Sequence, residues 1–104
     1  MNGSFFYACL DSELIDGDVV AVQVEGSEVA LFENGGEVFA TSNRCTHGDA
    51  RLSDGFFDGA EIECPLHQGR FDVRTGAPTC GPCTQPIRVF PVRRDEGKVF
   101  VEIG

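Results

Sequence analysis

The chain has 104 residues, a formal net charge of −9 and a hydrophobic content of 41%. This length suits one domain, so we predict a single unit over residues 1–104. The excess of acidic residues argues against nucleic acid as a partner, because phosphates need a basic footprint. No apolar run approaches the length of a membrane span. We therefore expect a cytoplasmic protein whose acidic surface either aids solubility or attracts a basic protein.

Short β-branched and aromatic runs alternate with glycine-rich turns along the chain, which is typical of an all-β protein. Helix signals are weak, and residues 11–14 are expected to form no more than one capped turn. Turn residues at 16–18, 34–36 and 95–97 fit hairpin or loop connections. We predict an all-β sandwich or barrel. Its strands are expected at residues 5–9, 19–24, 28–33, 37–41, 60–63, 70–73, 87–93 and 98–103.

Two short Cys/His pairs are the most informative motifs. They are a C-x-H pattern at residues 45–47 and a C-x-x-H pattern at residues 64–67, and they contain both histidines of the protein. Each pair lies in a loop between predicted strands and supplies one thiolate and one imidazole. Two ligands of each type form the set of a Rieske [2Fe–2S] centre, in which two His replace two Cys on one iron. The four candidate ligands are Cys45, His47, Cys64 and His67.

Other uses of these four side chains remain open from the residues alone. A structural zinc site can also use two cysteines and two histidines. Zinc modules, however, usually place both cysteines together and both histidines later in the chain. Here each loop supplies one ligand of each kind, which favours a binuclear centre with both thiolates on one iron. Buried structural cysteines with incidental histidines would leave the shared order of the two loops unexplained.

The segments around the two pairs resemble the cluster-binding motifs of Rieske ferredoxins. They read RCTHGD at residues 44–49 and CPLHQGRFD at residues 64–72, and the similarity covers nearly the whole chain. It is strongest to the ferredoxin components of bacterial aromatic-ring-hydroxylating dioxygenase systems, of the naphthalene dioxygenase type. The resemblance implies a Rieske-type antiparallel β sandwich or barrel with a small cluster-binding subdomain formed by loops.

The resemblance also implies a role for each candidate ligand. His47 and His67 would bind an outer iron near the surface, and Cys45 and Cys64 would bind the inner iron. A further set of residues would cover the cluster or support its ligands. These are Gly48, Gln68, Gly69 and Pro82.

A function and partners follow from the same resemblance. Such ferredoxins carry single electrons from a flavoprotein NAD(P)H ferredoxin reductase to a terminal Rieske non-haem iron oxygenase, and they are not enzymes themselves. One alternative is a Rieske-type small subunit of a larger reductase, such as nitrite reductase. A structural zinc-binding module is the other.

Residues near the motifs indicate a low reduction potential. High-potential Rieske proteins carry a disulfide between the two loops, and serine and tyrosine hydroxyls near the sulfurs. The matching positions here hold Ala50, Leu66, Gly69 and Phe71, which offer neither. Missing donors leave electron density on sulfur and favour the oxidised cluster. We expect a potential near the bottom of the Rieske range, at about −150 mV.

The remaining cysteines have structural interpretations. The C-x-x-C segment at residues 80–83 could be a redox dithiol, but it lacks the helix that such motifs require. The resemblance makes it a third loop that covers the cluster. Cys9 is expected in the core.

Aromatic and basic residues near the motifs carry weaker expectations. Phe56, Phe57 and Phe71 are predicted to lie in the core. Three arginines flank the two loops and are expected either to brace them or to face a partner. These are Arg44, Arg51 and Arg70, with Asp49, Asp54 and Asp72 as candidate counterions.

Overall fold

A computed structural model describes residues 4–46, 50–66, 69–80 and 85–103. Antiparallel strands dominate these ranges and form three sheets, which confirms the predicted all-β fold class. No helix within the described ranges is long and apolar enough to cross a membrane.

Eleven strands and two 3₁₀ helices lie in the part of the chain that the structure describes. The strands are β1 Ser4–Leu10, β2 Val19–Val24, β3 Ser27–Asn34, β4 Glu37–Ser42, β5 Phe56–Phe57, β6 Glu61–Glu63, β7 Arg70–Asp72, β8 Pro78–Cys80, β9 Val89–Phe90, β10 Val92–Asp95 and β11 Lys98–Ile103. The 3₁₀ helices are Asp11–Glu13 and Leu52–Asp54.

Two of the sheets form a sandwich. One has the strand order β1-β11-β10 and the other β2-β3-β4-β9. The predicted turn at residues 95–97 joins β10 to β11, and Glu96 and Gly97 both have positive φ, 50° and 78°. Such a pair is what a tight hairpin requires. The core between the two sheets consists of Cys9, Val24, Val29, Leu31, Ala40, Phe90, Val99 and Val101.

Strand β3 separates the sandwich core from a second core. Val29 and Leu31 belong to the sandwich core, whereas Ala30 and Phe32 belong to the second core. Side chains of a strand alternate between its two faces, so β3 is covered on both sides. This explains why its centre is a continuous apolar run rather than an alternating one.

The third sheet is a meander of the four strands β5, β6, β7 and β8. Its buried side chains include Phe57, Ile62 and Phe71, which pack in the second core. The Phe57 ring lies 5.0 Å from the Phe32 ring, centroid to centroid. Through these contacts the small sheet is fixed against the sandwich. Cys45 and Cys64 belong to the same buried cluster.

Several sequence-based predictions of strands need correction. The predicted strand at residues 87–93 is two strands in different sheets, β9 and β10, because Pro91 between them offers no N–H to a ladder. Strands β5 and β8 were not predicted, since β5 has only two residues and β8 begins with a proline. The predicted strand 60–63 begins at Glu61, and the predicted strand 70–73 ends at Asp72.

Phe56 does not lie in the core, and its prediction is wrong. Its side chain is 63% exposed, whereas the next residue, Phe57, is buried. Adjacent residues of a strand point to opposite faces, so only one of the two phenylalanines can face inwards. Phe57 and Phe71 are buried as predicted, and so is Cys9. The capped turn is also confirmed, because the Leu10 N–H donates to Glu13 Oε2 at 2.9 Å.

Gly76 gives a first testable prediction about the turn between β7 and β8. Its φ is +81°, and an added Cβ would lie 2.1 Å from the Ile87 carbonyl oxygen. Gly17 has a similar φ of +80° but has no heavy atom within 4 Å of that position. Gly76→Ala should therefore reduce the free energy of unfolding by about 1–3 kcal/mol more than Gly17→Ala. Thermal melts of both variants test this, and equal losses would contradict it.

Candidate metal centre

Cys45 and Cys64 lie in two loops that are closed by the same kind of backbone hydrogen bond. The Cys45 N–H donates to the Ala50 carbonyl at 3.0 Å, and the Cys64 N–H donates to the Gly69 carbonyl at 2.7 Å. Each cysteine thus begins a loop that returns to its own backbone five residues later. The first loop follows β4, and the second joins β6 to β7.

Both cysteine side chains are buried, with exposures of 2% for Cys45 and 0% for Cys64. Burial raises the pKa of the Cys64 thiol to about 11. The Leu66 N–H donates to Cys64 and opposes this rise in pKa, while a hydrogen bond with the Cys45 thiol adds to it. The two thiols are therefore neighbours, although they come from loops nineteen positions apart in the sequence.

This donor set fits the thiolate half of an iron–sulfur site. Two adjacent sulfurs are soft ligands, and an amide N–H directed at one of them can stabilise a thiolate. Binding of a metal must displace both thiol protons, and the metal's charge offsets the cost of burying thiolates. The fit rests on Cys45, Cys64 and Leu66, all of which are described.

Several predicted site residues fall outside the described residues: His47, Gly48, His67, Gln68 and Pro82. The described chain reaches Thr46 and Leu66, directly before the two histidines. Within the described ranges, no three Cys, His, Asp or Glu side chains come together as a metal site. Gly69 is buried at the point where the second loop closes.

A fully buried asparagine, Asn43, anchors the first loop. Its Nδ2 donates to Ser53 Oγ at 2.9 Å, and its Oδ1 accepts from the Ser53 N–H at 2.8 Å. Its backbone N–H donates to the Glu28 carbonyl at 3.1 Å, and its carbonyl accepts from Leu52 N–H at 2.7 Å. Sequence reasoning missed Asn43, because a polar residue in a polar loop gives no signal that it will be buried.

A salt bridge supports the same loop from outside. Arg51 Nε and Nη2 donate to the two carboxylate oxygens of Glu28 at 3.1 and 2.7 Å. The Arg51 guanidinium first, and then the Asn43 amide, hold the pKa of Glu28 below its usual range. The carboxylate that Arg51 hydrogen-bonds is thus Glu28 on β3, while Asp54, one of the candidate counterions, contributes a smaller electrostatic attraction that raises the pKa of Arg51. Backbone pairing of Arg44 with Arg51 completes the base of this loop.

The second loop has its own ionic support at Arg70. The guanidinium contacts three carboxylates, which belong to Asp58, Glu61 and Glu63. None of these three is among the candidate counterions that the sequence suggested, because all three partners come from β6 and the turn before it. The sequence could not reveal this, since a strand register decides which acids face the guanidinium.

An apolar environment without tyrosine surrounds the two sulfurs. Leu52, Ile62 and Phe71 pack in the same buried cluster as the cysteines. The single tyrosine of the chain, Tyr7, lies on β1 in a different sheet. Cys80 ends β8 as an exposed free thiol, and Cys83 lies outside the described residues.

Comparison with known protein families decides the identity of the fold. The family model of the Rieske [2Fe-2S] domain matches residues 4–91. The chain belongs to the Rieske family. Its cofactor is one Rieske-type [2Fe–2S] cluster. The two buried cysteines lie inside the matched segment, in the loops that the sequence motifs mark.

Related Rieske proteins match the chain over most of its length. The naphthalene 1,2-dioxygenase system ferredoxin component of Pseudomonas putida is 54% identical over 93 residues, 89% of each chain. The ferredoxin of carbazole 1,9a-dioxygenase from Nocardioides aromaticivorans IC177 has a TM-score of 0.93 and 42% identity, covering 97% of this chain and 99% of its own. A chain in a complex of reduced oxygenase and oxidized ferredoxin in carbazole 1,9a-dioxygenase has a TM-score of 0.88 and 41% identity, covering 94% and 92%.

Proposed function

We propose that this chain is a soluble, cytoplasmic one-electron carrier of an aromatic-ring-hydroxylating dioxygenase system. This proposal rests mainly on the 54% identity to a naphthalene dioxygenase ferredoxin component over 89% of both chains. These relatives are named as ferredoxin components, so we assign electron transfer rather than catalysis. We also propose that residues 1–104 form a single domain. Strand β3 supports this, because its side chains contribute to both cores.

The proposed ligands are Cys45 and Cys64 for one iron and His47 and His67 for the other. When bound, the cluster supplies a centre that accepts and releases one electron. The two cysteine loops hold the thiolates side by side, and the apolar cluster around them excludes water. We assign covering and supporting roles to the residues Gly48, Gln68, Gly69 and Pro82.

Two protein partners follow from this function. We propose that a flavoprotein NAD(P)H ferredoxin reductase reduces the carrier and that a terminal Rieske non-haem iron oxygenase oxidises it. The ferredoxin–oxygenase complex of the carbazole system supports the second partner. Leu66 directly precedes the proposed ligand His67 and is 40% exposed, so the end that carries the ligands offers an apolar contact. Because both partners would bind this same end, the carrier must shuttle between them and cannot hold both in a ternary complex.

Analysis of the purified protein tests the proposal. We expect two iron atoms and two acid-labile sulfides per chain, and a Rieske-type EPR signal after reduction with dithionite. Rapid-mixing absorbance should then show reduction by a flavoprotein reductase with NAD(P)H, and reoxidation by a terminal oxygenase. A colourless protein with one zinc would refute the cofactor. Constant co-purification with a large reductase subunit would refute the shuttle.

The reduction potential provides a second prediction, for Phe71→Tyr. Phe71 is fully buried in the cluster that contains both cysteines, and we expect a hydroxyl there to donate towards sulfur. One net hydrogen bond of about 1 kcal/mol should raise a one-electron potential by about 40 mV from the expected value of about −150 mV. Protein-film voltammetry measures this shift.

Phe90→Tyr is the matched control for this prediction. Phe90 lies in the sandwich core, which contains neither candidate cysteine ligand. Its substitution should leave the potential unchanged. A potential that stays the same or falls in Phe71→Tyr would show that the missing hydroxyl does not set the low potential.

A further inference from the structure

We propose that Arg70 is a positioning residue. It forms ion pairs with three carboxylates and thereby keeps the two ends of the second cysteine loop, Cys64 and Gly69, together. This inference rests on the proposed function, because it assigns the loop to the [2Fe–2S] cluster. Arg70 touches no candidate ligand side chain in the described structure. It acts on the two strands that lead into and out of the loop.

The guanidinium uses three different nitrogens for three different acids. Nε donates to Glu61 Oε1 at 2.8 Å, and Nη1 donates to Glu63 Oε1 at 2.9 Å. Nη2 contacts the carboxylate of Asp58. Asp58 is itself fixed, because its Oδ1 accepts from the N–H groups of Ala60 and Glu61 at 3.0 and 2.8 Å. The guanidinium therefore links β7 to a turn that is fixed by its own hydrogen bonds.

The position of these contacts explains their effect on the loop. Glu63 directly precedes Cys64, Arg70 directly follows Gly69, and the two charged residues are paired in the β6–β7 register. The Cys64–Gly69 backbone hydrogen bond lies immediately above them. The ion pair therefore lies directly below the backbone closure of the loop, on the partly exposed face of the hairpin.

The opposite face of the hairpin is buried, so the role of Arg70 in the loop can be distinguished from an effect on overall stability. Ile62 and Phe71 are paired across the same two strands and are fully buried in the second core. They keep the hairpin attached to the protein without help from Arg70. Loss of Arg70 should therefore loosen the loop while the sheet remains folded.

Lysine cannot replace arginine in this arrangement. An ammonium group carries the same charge, but it is a compact point charge without the planar fork that reaches three carboxylates at once. Arg70→Lys thus preserves the local charge and removes the geometry. Arg70→Gln removes both and leaves three carboxylates close together without a cation.

The experiment measures release of iron from the purified holoprotein to a chromogenic chelator, together with its EPR spectrum and thermal melt. We expect Arg70→Lys to lose iron about tenfold faster than the unchanged protein, and Arg70→Gln to lose it at least as fast. The EPR line shape should broaden in both variants. Glu63→Gln removes one of the three ion pairs and should accelerate iron release by a smaller factor. It replaces Arg70→Gln as the test if that variant does not fold.

Arg74→Lys is the matched control. Arg74 is an exposed arginine that follows β7, and it bonds one carboxylate, that of Glu37, at 3.1 Å. Its iron release should stay within about twofold of the unchanged protein, because a single exposed ion pair contributes little. Equal rates in Arg70→Lys and the unchanged protein would overturn the inference, as would equal acceleration in both lysine variants. Absence of iron and sulfide from the unchanged protein would instead refute the proposed function, and this inference with it.

Discussion

Cys64→Ser should give a folded protein that holds no [2Fe–2S] cluster. A serine hydroxyl is a poor ligand for iron, because it deprotonates far less readily than a thiol and is a harder donor. The fold should persist, since the loop is closed by backbone atoms of Cys64 and Gly69. Iron and sulfide content should fall to background, and the visible absorbance and the EPR signal should disappear. Cys45→Ser is expected to behave in the same way.

Two other cysteines provide controls for this loss. Cys80 is an exposed thiol, so Cys80→Ser should keep full iron and sulfide content. Cys9 is buried in the sandwich core, and burial, with Glu13 and Asp11 nearby, raises its pKa to about 11. Cys9→Ala should therefore also retain the cluster, despite a less stable core. An unaltered spectrum in Cys64→Ser would disprove the ligand assignment, and its loss in Cys80→Ser would extend the site to the third loop.

Asn43→Asp is expected to be the most destabilising of the proposed single-residue changes. It places a carboxylate in a fully buried position beside the Glu28 carboxylate. The amide donor to Ser53 is lost at the same time. An uncompensated buried charge costs about 3–5 kcal/mol, which corresponds to a fall in Tm of more than about 10 °C.

The effect of Asn43→Asp should depend on pH. Burial and the neighbouring Glu28 raise the folded-state pKa of the introduced carboxyl above its unfolded value of about 3.9. The loss should therefore be small below that pH, where the carboxyl is protonated in both states. It should grow as the pH rises towards the folded-state pKa and be constant above it. Thermal melts from pH 4.5 to 8 measure this trend.

Asn34→Asp is the control for the pH dependence. Asn34 also donates through its side-chain amide, to the Gly59 carbonyl at 2.9 Å, but it is exposed. A carboxylate there remains in water, so the loss should be below about 1 kcal/mol and nearly independent of pH. A flat pH profile for Asn43→Asp would mean that the introduced charge reaches solvent and that Asn43 does not anchor the loop as described.

The sequence predicted the features that depend on local pattern. Alternation predicted β11 with the boundaries that the structure shows, at Lys98–Ile103. The two Cys/His motifs predicted that Cys45 and Cys64 would lie together, and the structure confirms that these two thiols are neighbours. The first result needs only the residues of one strand, and the second needs the two loop motifs together with the chemistry of a shared metal.

Features that depend on distant pairing could not be predicted in this way. Glu28 and Arg51 meet because β3 and the first loop pack together, although 23 positions separate them. The three partners of Arg70 depend on the β6–β7 register. Phe56 was assigned to the core by its hydrophobicity alone, but the inward position was taken by Phe57. In each case tertiary geometry chooses among residues whose local preferences are the same.

The pairing of the first and last strands also has a consequence for the order of folding. Ser4 pairs with Ile103, so the strand partner of β1 in the described structure, β11, lies at the far end of the domain in sequence. Contacts in the small sheet are much more local, since residues 56–80 supply all four strands. Local hairpins close faster than pairings of distant segments. The hairpin that carries Cys64 can therefore form before β1 and β11 meet.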